Sequence, residues 1–461
     1  MSSGNVSGDF YARSKAFMRW MHELPGTRIS SKIQLADLRH QGAGRGIVAT
    51  KDINEDEELF SIPQSDVLTA QNSSLQRVKP ALLERLDTWN ALVLCMIHED
   101  GQGQDSRWWP YLQVLPTEFD TLIYWSPSEL AELEGSAVVD KIGKNEADAA
   151  FTKILLPLVQ QNSELFGRYS KDFSSSNARA ALLEVAHRMA TLIMAYGFDL
   201  EAEATSSDEE EEVDGSSQSA YELNKGMVPL ADLFNADGHL NNAHLLQNED
   251  SMSMIALKRI ASGQQVFNDF GQLPRSDLLR RYGYINDNYK EWDVVEVDID
   301  VVVKATARWN ELSDRLELAA SWGVLQDGYD LTRPSGNEAF QFGEDMVFTI
   351  TALLLDANDF GQAMKDRPDC PPPSKFKTIN SVLKSIISTR QKDYRTTIAE
   401  DYDMLSDTTL QRRRRMAIEV RLGEKEILAL AAEDLDMKHR HDSQDVNEQI
   451  FADHAKRRKC D

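Results

Sequence analysis

The sequence is poor in cysteine and has no long apolar run. Its 461 residues include only Cys95, Cys370 and Cys460, which lack metal-ligand spacing and are odd in number. This usage favours a reducing compartment. No stretch approaches the roughly 20 apolar residues that cross a bilayer, and the polar first residues lack a secretory signal core. We therefore expect an intracellular, soluble protein with no membrane partner.

Positive charge is also scarce. Lysine and arginine number 50 against 75 aspartates and glutamates, which gives a formal net charge of −25. Such a chain repels nucleic-acid phosphates unless a basic patch is segregated, so we expect no direct nucleic-acid binding. It attracts basic proteins and speeds their encounter, although acidity can also serve solubility alone.

The chain alternates between strand-like and helical patterns, which predicts an α+β protein. Helical periodicity dominates residues 75–196, and short strands and turns return over residues 227–284. The acidic run of residues 201–219 predicts a disordered loop, with a guide for a basic substrate as the alternative. A long helix is predicted over residues 410–435. The plan is a split β-rich unit, interrupted by a helical insertion and followed by a helical domain.

Glycines are concentrated in one segment. Gly42, Gly44 and Gly46 precede a β-prone run that starts at Ile47, whereas a dinucleotide-binding glycine motif must open a helix. The dinucleotide-binding interpretation therefore fails. Two interpretations remain: a turn whose backbone approaches a ligand closely, and a tight hairpin with no ligand.

Two histidines lie in the polar part of a second segment, residues 229–245. His239 and His244 are five residues apart and have no third ligand at useful spacing. They make a poor zinc site, so we expect no metal. A metal-dependent hydrolase built on them stays an alternative, which the metal content of the purified protein would test.

A third segment combines a strand, a glycine turn and a short helix that ends in an aromatic pair. The strand and turn cover residues 265–271, and the helix leads to Tyr282 and Tyr284. Taken alone, such tyrosines are more often packing residues than catalysts. Their role depends on the other two segments.

Taken together, the three segments resemble the SET domain. Its opening glycine motif is matched by Gly44-Arg45-Gly46. Asn235 sits at the place of its Asn-His pair, and Tyr282 begins a match to its catalytic Tyr-Gly element. The three matches occur in the order that the family shows.

Two further matches indicate a branch of the family. Residues 106–116 resemble a signature of the helical insertion in the branch related to RuBisCO large-subunit methyltransferase. Residues 420–428 resemble a helix of that branch's substrate-binding domain. Within the branch, the sequence is similar to the group of the fungal ribosomal lysine N-methyltransferase 4 and the animal SET-domain protein 6.

The resemblance implies a fold and a division of the chain. The expected fold is α+β: a SET β-fold of small sheets, interrupted by a helical insertion and followed by a helical substrate-binding domain. The implied SET parts are residues 27–75 and 221–285, with the insertion at residues 76–220. The substrate-binding domain would cover residues 300–435, and residues 436–461 would form a polar tail.

The resemblance also implies an activity and a site. The protein would transfer a methyl group from S-adenosylmethionine to a lysine, with Tyr282 as the catalytic residue that orients the lysine amine. The residues implied to hold or surround the cofactor are Gly44, Arg45, Gly46, Tyr196, Asn235, Ala236 and Phe270.

Two of these residues depart from the family pattern. Ala236 replaces a histidine, which removes a side chain near the cofactor but leaves the backbone. Phe270 replaces a tyrosine, which removes a hydroxyl at the rim of the lysine channel. These departures support, as an alternative, a SET-fold protein that binds partners without catalysis. They also leave the number of added methyl groups open.

The acidic charge and the resemblance together imply a basic protein substrate. A protein of the large ribosomal subunit is expected, with a histone or another nuclear protein as the alternative. Basic patches at residues 412–415 and 456–459 favour the nucleus, and the cytoplasm also fits.

Overall fold

The structure, a computed structural model, describes residues 3–201, 224–306, 311–336, 338–366 and 376–440. The described chain forms two compact units. The first unit contains residues 3–121 and 143–271, and the second contains residues 122–142 and 272–440. These two units are defined by the packing of the chain. The SET parts, the insertion and the substrate-binding domain expected from the sequence are defined by motifs, and their boundaries stay predictions. The acidic run of residues 201–219, expected to be disordered, falls outside the described residues after residue 201.

Helices of at least four residues occur in both units. In chain order they are α1 (Ser3–Glu23), α2 (Ser74–Val78), α3 (Thr88–Gln102), α4 (Trp109–Leu112), α5 (Pro127–Leu130), α6 (Lys144–Gln161), α7 (Ser170–Phe173), α8 (Ala178–Tyr196), α9 (Arg275–Tyr282), α10 (Ile299–Thr306), α11 (Leu312–Ser321), α12 (Glu344–Leu354), α13 (Ala357–Asp366), α14 (Phe376–Lys392), α15 (Ile398–Ser406) and α16 (Arg412–Arg440). None of the helices in the described ranges is long and apolar enough to span a membrane.

Short strands pair antiparallel in small sheets. In chain order they are β1 (Arg28–Ile29), β2 (Ile33–Asp37), β3 (Arg45–Ala49), β4 (Glu58–Pro63), β5 (Gly197–Leu200), β6 (Asn224–Met227), β7 (Ala243–Gln247), β8 (Ser251–Ala256), β9 (Gln265–Val266), β10 (Val294–Asp298) and β11 (Gly328–Thr332). The first unit holds the sheets β1-β4-β8-β7, β2-β3-β9 and β5-β6, and the second holds β10-β11. This mixture agrees with the α+β class expected from the sequence.

Helix α3 is largely buried in the core of the first unit. Twelve of its fifteen residues are buried, as its nearly continuous apolar run predicts. Asp87 caps its start by accepting a hydrogen bond from the Asn90 N–H at 2.8 Å. Near its end, the buried Glu99 carboxylate accepts from the hydroxyls of Ser73 at 2.9 Å and Ser106 at 2.6 Å. A charged group can therefore be enclosed here because its oxygens are satisfied.

A tight connection joins β2 to β3, as the glycine-rich segment predicts. The N–H of Leu38 donates to the carbonyl of Gly44 at 2.9 Å, and Gly42 turns the chain with a φ of +78°. In the antiparallel register of β2 and β3, Asp37 is paired with Arg45. The strand β3 therefore begins immediately after the turn, which fixes where its first residues lie.

The second unit has a helical core to which a distant segment contributes. Residues 122–142 supply Leu122, Trp125, Leu133 and Val138, which pack with Leu279 and with Met416, Ala417 and Val420 of α16. The helix α16 begins two residues after the expected start at residue 410 and continues beyond the expected end at residue 435.

A buried ion cluster fastens α15 to α16. Asp401 is fully buried and accepts from Arg421 Nη2 and from Thr396 Oγ1, each at 2.8 Å, and it also pairs with Lys425. Although burial raises the pKa of Asp401, the hydrogen bonds from Arg421 and Lys425 hold it below its usual value. The carboxylate therefore stays ionised between two buried cations.

Replacing Asp401 with alanine is expected to destabilise the protein by about 3–5 kcal/mol, because two cations lose their shared buried partner. The free energy of unfolding, measured with urea, checks this. Asp403→Ala is the matched control, since Asp403 is exposed on the same helix. Equal stability of the two variants would contradict the assignment of Asp401 to a buried cluster.

Candidate active site

A cavity of about 440 Å³ lies in the first unit at the start of β3. Its wall includes Gly44, Arg45, Tyr196, Asp232 and Asn235, which come from three separate parts of the chain. A volume of a few hundred Å³ with converging polar groups is usual for a small-molecule site. Four of the residues that the sequence implied to hold a cofactor therefore line one cavity, which we call the β3 cavity.

Gly46 lies where the backbone of β3 passes Asn235. A Cβ atom at Gly46 would lie 2.4 Å from Leu38 Cδ1 and 2.7 Å from Asn235 Nδ2, closer than real Cβ atoms approach. Because the backbone and the amide are this close, Asn235 Nδ2 donates a hydrogen bond to the carbonyl of Arg45 at 3.2 Å. The position of the Asn235 amide thus requires glycine at residue 46.

Backbone contacts hold Asn235 and Ala236 in place. The N–H of Asn268 donates to the carbonyl of Asn235 at 2.8 Å, and Ala236 forms an isolated parallel bridge with Asn268. Nearby, Asn242 Oδ1 accepts from the N–H of Phe267 at 2.8 Å. Because the bridge at Ala236 is a backbone contact, the loss of the family's histidine side chain leaves it intact.

The side chain of Arg45 is bound to the protein itself. Its guanidinium donates to Ser14 Oγ at 2.9 Å and to the carbonyls of Val114 at 2.8 Å and Phe10 at 3.3 Å. It also lies 3.8 Å from the centroid of the Phe10 ring. Burial lowers the pKa of Arg45 to about 10, which leaves it charged at neutral pH. The sequence implied only backbone contacts for Arg45, but its side chain fastens α1 to the cavity wall.

Asp232 belongs to the cavity wall but was missed in the sequence. It lies in the helical turn Ala231–Leu233 and is only 8% exposed. Its Oδ2 accepts from the Tyr111 hydroxyl, whereas Oδ1 has no hydrogen-bond partner among the described residues. Burial raises the pKa of Asp232 to about 7, although the hydrogen bond from Tyr111 lowers it. The one signal in the sequence is a carboxylate inside an apolar run.

Tyr196, the last residue of α8, also lines the β3 cavity. Burial and the nearby charge of Asp232 raise the pKa of Tyr196 to about 12. Its hydroxyl therefore stays protonated at neutral pH and can donate a hydrogen bond.

Among the described residues that form the wall of the β3 cavity, neither Phe270 nor Tyr282 is present. Phe270 is half-buried, four residues after β9 in the first unit. Tyr282 ends α9 in the second unit, where Gly283 turns the chain with a φ of +76°. Burial raises the pKa of Tyr282, whose ring makes an edge contact with Tyr284 at 6.5 Å between centroids. The Tyr282 hydroxyl is therefore neutral at physiological pH.

The two histidines of the second segment gather no ligand set. His239 is exposed and His244 is half-buried. Within the described ranges, no group of three or more His, Cys, Asp or Glu side chains could hold a metal ion. The metal content of the purified protein remains the test of the hydrolase alternative.

Two family models match the chain. The SET domain model matches residues 44–271, and the Rubisco LSMT substrate-binding model matches residues 343–428. Rubisco LSMT bound to AdoMet has the same fold, with a TM-score of 0.67 and 20% identity over 92% of each chain. The SET domain of LSMT bound to lysine and AdoHcy gives the same TM-score over 93% of this chain and 92% of that chain. The class is thus a SET fold with an LSMT-type carboxy-terminal domain.

Similarity to whole proteins carries the identification further. Ribosomal lysine N-methyltransferase 4 of Saccharomyces cerevisiae is 34% identical over 349 residues, which cover 74% of this chain and 67% of the relative. N-lysine methyltransferase SETD6 of Mus musculus is 28% identical over 468 residues, covering 93% and 91%. The chain belongs to the SET-domain protein-lysine methyltransferases, which take their methyl group from S-adenosylmethionine. This confirms the family, the enzyme class and the cofactor that the motifs predicted.

The chemistry of the β3 cavity suits this cofactor. An added Cβ at Gly44 would meet no protein atom within 4 Å, so backbone there is open to a ligand. The wall also contains the Asp232 carboxylate and the Asn235 amide, which are of a kind that accepts hydrogen bonds, and the amino group, ribose hydroxyls and adenine amine of the cofactor are donors. The residues present therefore fit a small molecule that is rich in hydrogen-bond donors.

Gly46→Ala is expected to destabilise the protein by about 1–3 kcal/mol and to shift Asn235, because the new methyl group overlaps two side chains. Thermal unfolding and calorimetric titration with S-adenosylhomocysteine check both effects, and we expect at least tenfold weaker binding. Gly44→Ala is the control for stability, since its Cβ has open space. A Gly46 variant as stable and as tight-binding as wild type would refute this account of residue 46.

The raised pKa of Asp232 predicts a pH dependence of stability without cofactor. The folded-state pKa of about 7 exceeds the unfolded value of 3.8, so the folded protein binds the extra proton between these values. This contribution is complete below about pH 4 and is lost as the pH rises through about 7. Wild type should therefore lose stability relative to Asp232→Asn between pH 5 and pH 8 in urea unfolding. Parallel stability curves for the two proteins would contradict the prediction.

Proposed function

We propose that this S-adenosylmethionine-dependent enzyme methylates a lysine of a basic protein of the large ribosomal subunit. The observation that carries the proposal is the 34% identity with ribosomal lysine N-methyltransferase 4 over 74% of this chain. A histone or another nuclear protein is the second candidate, because such proteins are also basic.

The charge of the protein supports a cationic substrate. A cavity of about 1110 Å³ in the second unit is lined by six acidic and two basic side chains, namely Asp277, Glu291, Glu296, Asp330, Glu338, Glu424, Lys141 and Arg333. Burial raises the pKa of Asp330, and repulsion from the charges of Glu296 and Asp277 raises it further. A lysine- and arginine-rich segment would relieve this repulsion, and the net charge of −25 would speed its approach.

The residues of the β3 cavity are proposed to bind the cofactor. S-adenosylmethionine, when bound, supplies a methyl group attached to a positively charged sulfur. The backbone at Gly44, Arg45 and Gly46 holds the amino-acid end. Asn235 and the backbone of Ala236 hold its amine or adenine, and Tyr196 packs near the cofactor. Phe270 helps to wall the junction between the cofactor and the lysine channel. These groups keep the reactive end oriented and exclude water, which is how positioning accelerates a displacement.

Tyr282 is proposed as the catalytic residue. A free lysine has a pKa of about 10.4 and is mostly protonated at neutral pH, so the enzyme must bind its neutral amine. Desolvation favours that form. Because the pKa of the Tyr282 hydroxyl is raised, the hydroxyl stays neutral and orients the amine by hydrogen bonding rather than removing its proton as a tyrosinate base.

We propose that the enzyme resides in the nucleus and also in the cytoplasm. Three arginines of the first basic patch are engaged within the second unit: Arg413 and Arg414 pair with Glu129 and Glu132, and Arg415 donates to the Asp407 carbonyl. The second patch, residues 456–459, is outside the described residues, and the proposal rests mainly on it.

The test is methyl transfer from labelled S-adenosylmethionine to purified ribosomal proteins and, separately, to histones. Label is expected in one basic protein of the large subunit. Tyr282→Phe should lower kcat by about a hundredfold or more, because the amine loses its orienting group. Asn235→Ala should lower labelling by weakening cofactor binding.

Tyr402→Phe is the matched control, because it removes a hydroxyl from an exposed tyrosine in the same unit and should leave kcat unchanged. Label in histones alone would replace the ribosomal substrate with the second candidate. Full activity of Tyr282→Phe would remove the catalytic role from this residue.

A further inference from the structure

Two like charges lie opposite each other on the small sheet of the second unit. Strands β10 and β11 pair so that Glu296 is directly opposite Asp330. Burial alternates along both strands, so that one face of the sheet is enclosed and the other carries the two carboxylates. The second face forms part of the wall of the cavity of about 1110 Å³. Like charges in this arrangement repel each other and destabilise a sheet, so folding alone gives no reason for the pair.

One of the two carboxylates already binds an ammonium group. Lys141, in the wall of the same cavity, donates from Nζ to Glu296 Oε2. Although burial lowers the pKa of Lys141, its hydrogen bond to Glu296 and the charges of three carboxylates raise it above its usual value. These carboxylates are Glu296, Asp277 and Asp330. The face therefore stabilises the charge that a lysine side chain carries.

The other carboxylate has no such partner. Among the described residues, Asp330 takes part in no hydrogen bond or ion pair, and Lys141 acts on it through charge alone. Asp277 differs, because it accepts a hydrogen bond from Arg280 Nε at 2.9 Å. Asp330 therefore leaves a place for a second cation beside Lys141.

The wall around the pair suits a long cationic side chain. Trp292 is half-buried in this wall, and Ala137, Val138 and Pro334 add apolar surface. Lysine and arginine pack their aliphatic stems on apolar surface while the charged end meets polar groups, and an aromatic ring attracts the cation. Apolar and aromatic surface beside the carboxylates favours such a side chain over a small inorganic cation.

Helix α9 relates this cavity to the proposed catalytic residue. Its first turn supplies Ser276 and Asp277 to the wall, and Tyr282 is its last residue. The five residues from Asp277 to Tyr282 correspond to a rise of about 7.5 Å along the helix. An extended chain advances about 3.3 Å per residue. A side chain within about five residues of a lysine at Tyr282 can therefore reach the cavity.

We propose that Asp330, together with Glu296, binds a lysine or arginine side chain of the substrate that lies within about five residues of the target lysine. The proposal rests on the proposed function, a basic protein substrate whose lysine is methylated at Tyr282. The two carboxylates select the sequence around the target lysine and do not contact the reacting atoms.

The test is a double-mutant cycle between the enzyme and the labelled protein of the large ribosomal subunit. Each lysine and arginine near the target lysine is replaced with alanine in turn, and KM and kcat are measured with wild type and with Asp330→Asn. On wild type, one replacement should raise KM about three- to tenfold and leave kcat unchanged, because binding is lost equally in the ground and transition states. On Asp330→Asn, the same replacement should change KM by less than about twofold, since its partner charge is absent.

Lys141→Met should have the opposite effect to Asp330→Asn on the unaltered substrate. It frees Glu296 for the substrate, so KM should fall about two- to threefold, whereas Asp330→Asn raises KM and Asp330→Glu keeps it near the wild-type value. A merely structural role of these residues would move KM in the same direction in both neutralising variants. Asp330→Asn should unfold at no lower temperature than wild type, because it removes the repulsion across the sheet.

Asp314→Asn is the control, because it removes an exposed charge of the same unit from outside the cavity wall. It should leave KM unchanged. A rise in KM equal to that of Asp330→Asn would show that KM follows net charge alone and would overturn the proposal. So would a substrate in which every alanine replacement has the same effect on wild type and on Asp330→Asn.

Failure of the proposed substrate would look different. If label appears in histones alone, the ribosomal substrate is wrong, and the same alanine series on the labelled histone decides the role of Asp330. If a ribosomal protein is labelled but none of its basic residues depends on Asp330, only the role of the acidic pair is wrong.

Discussion

The backbone of β3 can pass the amide of Asn235 at hydrogen-bonding distance only because residue 46 has no side chain. Residues 190 positions apart in the chain meet at this contact, and the bridge between Ala236 and Asn268 continues it on the other side. The β3 cavity lies beside this junction. The wall of the cavity therefore depends on the absence of a side chain at residue 46, and a methyl group there would displace Leu38 or Asn235.

Parts of the fold with strong local patterns could be predicted from the sequence. The apolar run in α3 and the periodicity of α16 can be recognised in the sequence, because a buried helix face requires apolar residues at regular intervals along the chain. The assignment of residues 122–142 to the second unit could not be predicted. Their apolar residues pack against side chains that lie some 150 to 300 positions later, and no local pattern records such a contact.

The site divides in the same way. Glycine at 46 and asparagine at 235 could be found because each belongs to a motif of fixed order, and Ala236 is tolerated because its bridge is made by backbone. Asp232 was missed because its neighbours in the sequence are apolar. Its place in the wall of the β3 cavity follows only from the folded chain. The side chain of Arg45 was also missed, because its partners on α1 and at Val114 are set by tertiary packing.

The packing of residues 122–142 bears on how this protein can be divided and inherited. The SET match runs from residue 44 to residue 271 and so includes these residues, yet their core partners all lie after residue 271. It also begins after Phe10 and Ser14, which hold the Arg45 guanidinium. An excised fragment with the limits of the match would expose an apolar surface and would leave the half-buried Arg45 guanidinium with Val114 alone of its three hydrogen-bond partners. The family match therefore marks a stretch of similar sequence and not a segment that folds alone. If SET segments were exchanged between relatives, we expect the hybrid to fold only when the carboxy-terminal helices are exchanged as well.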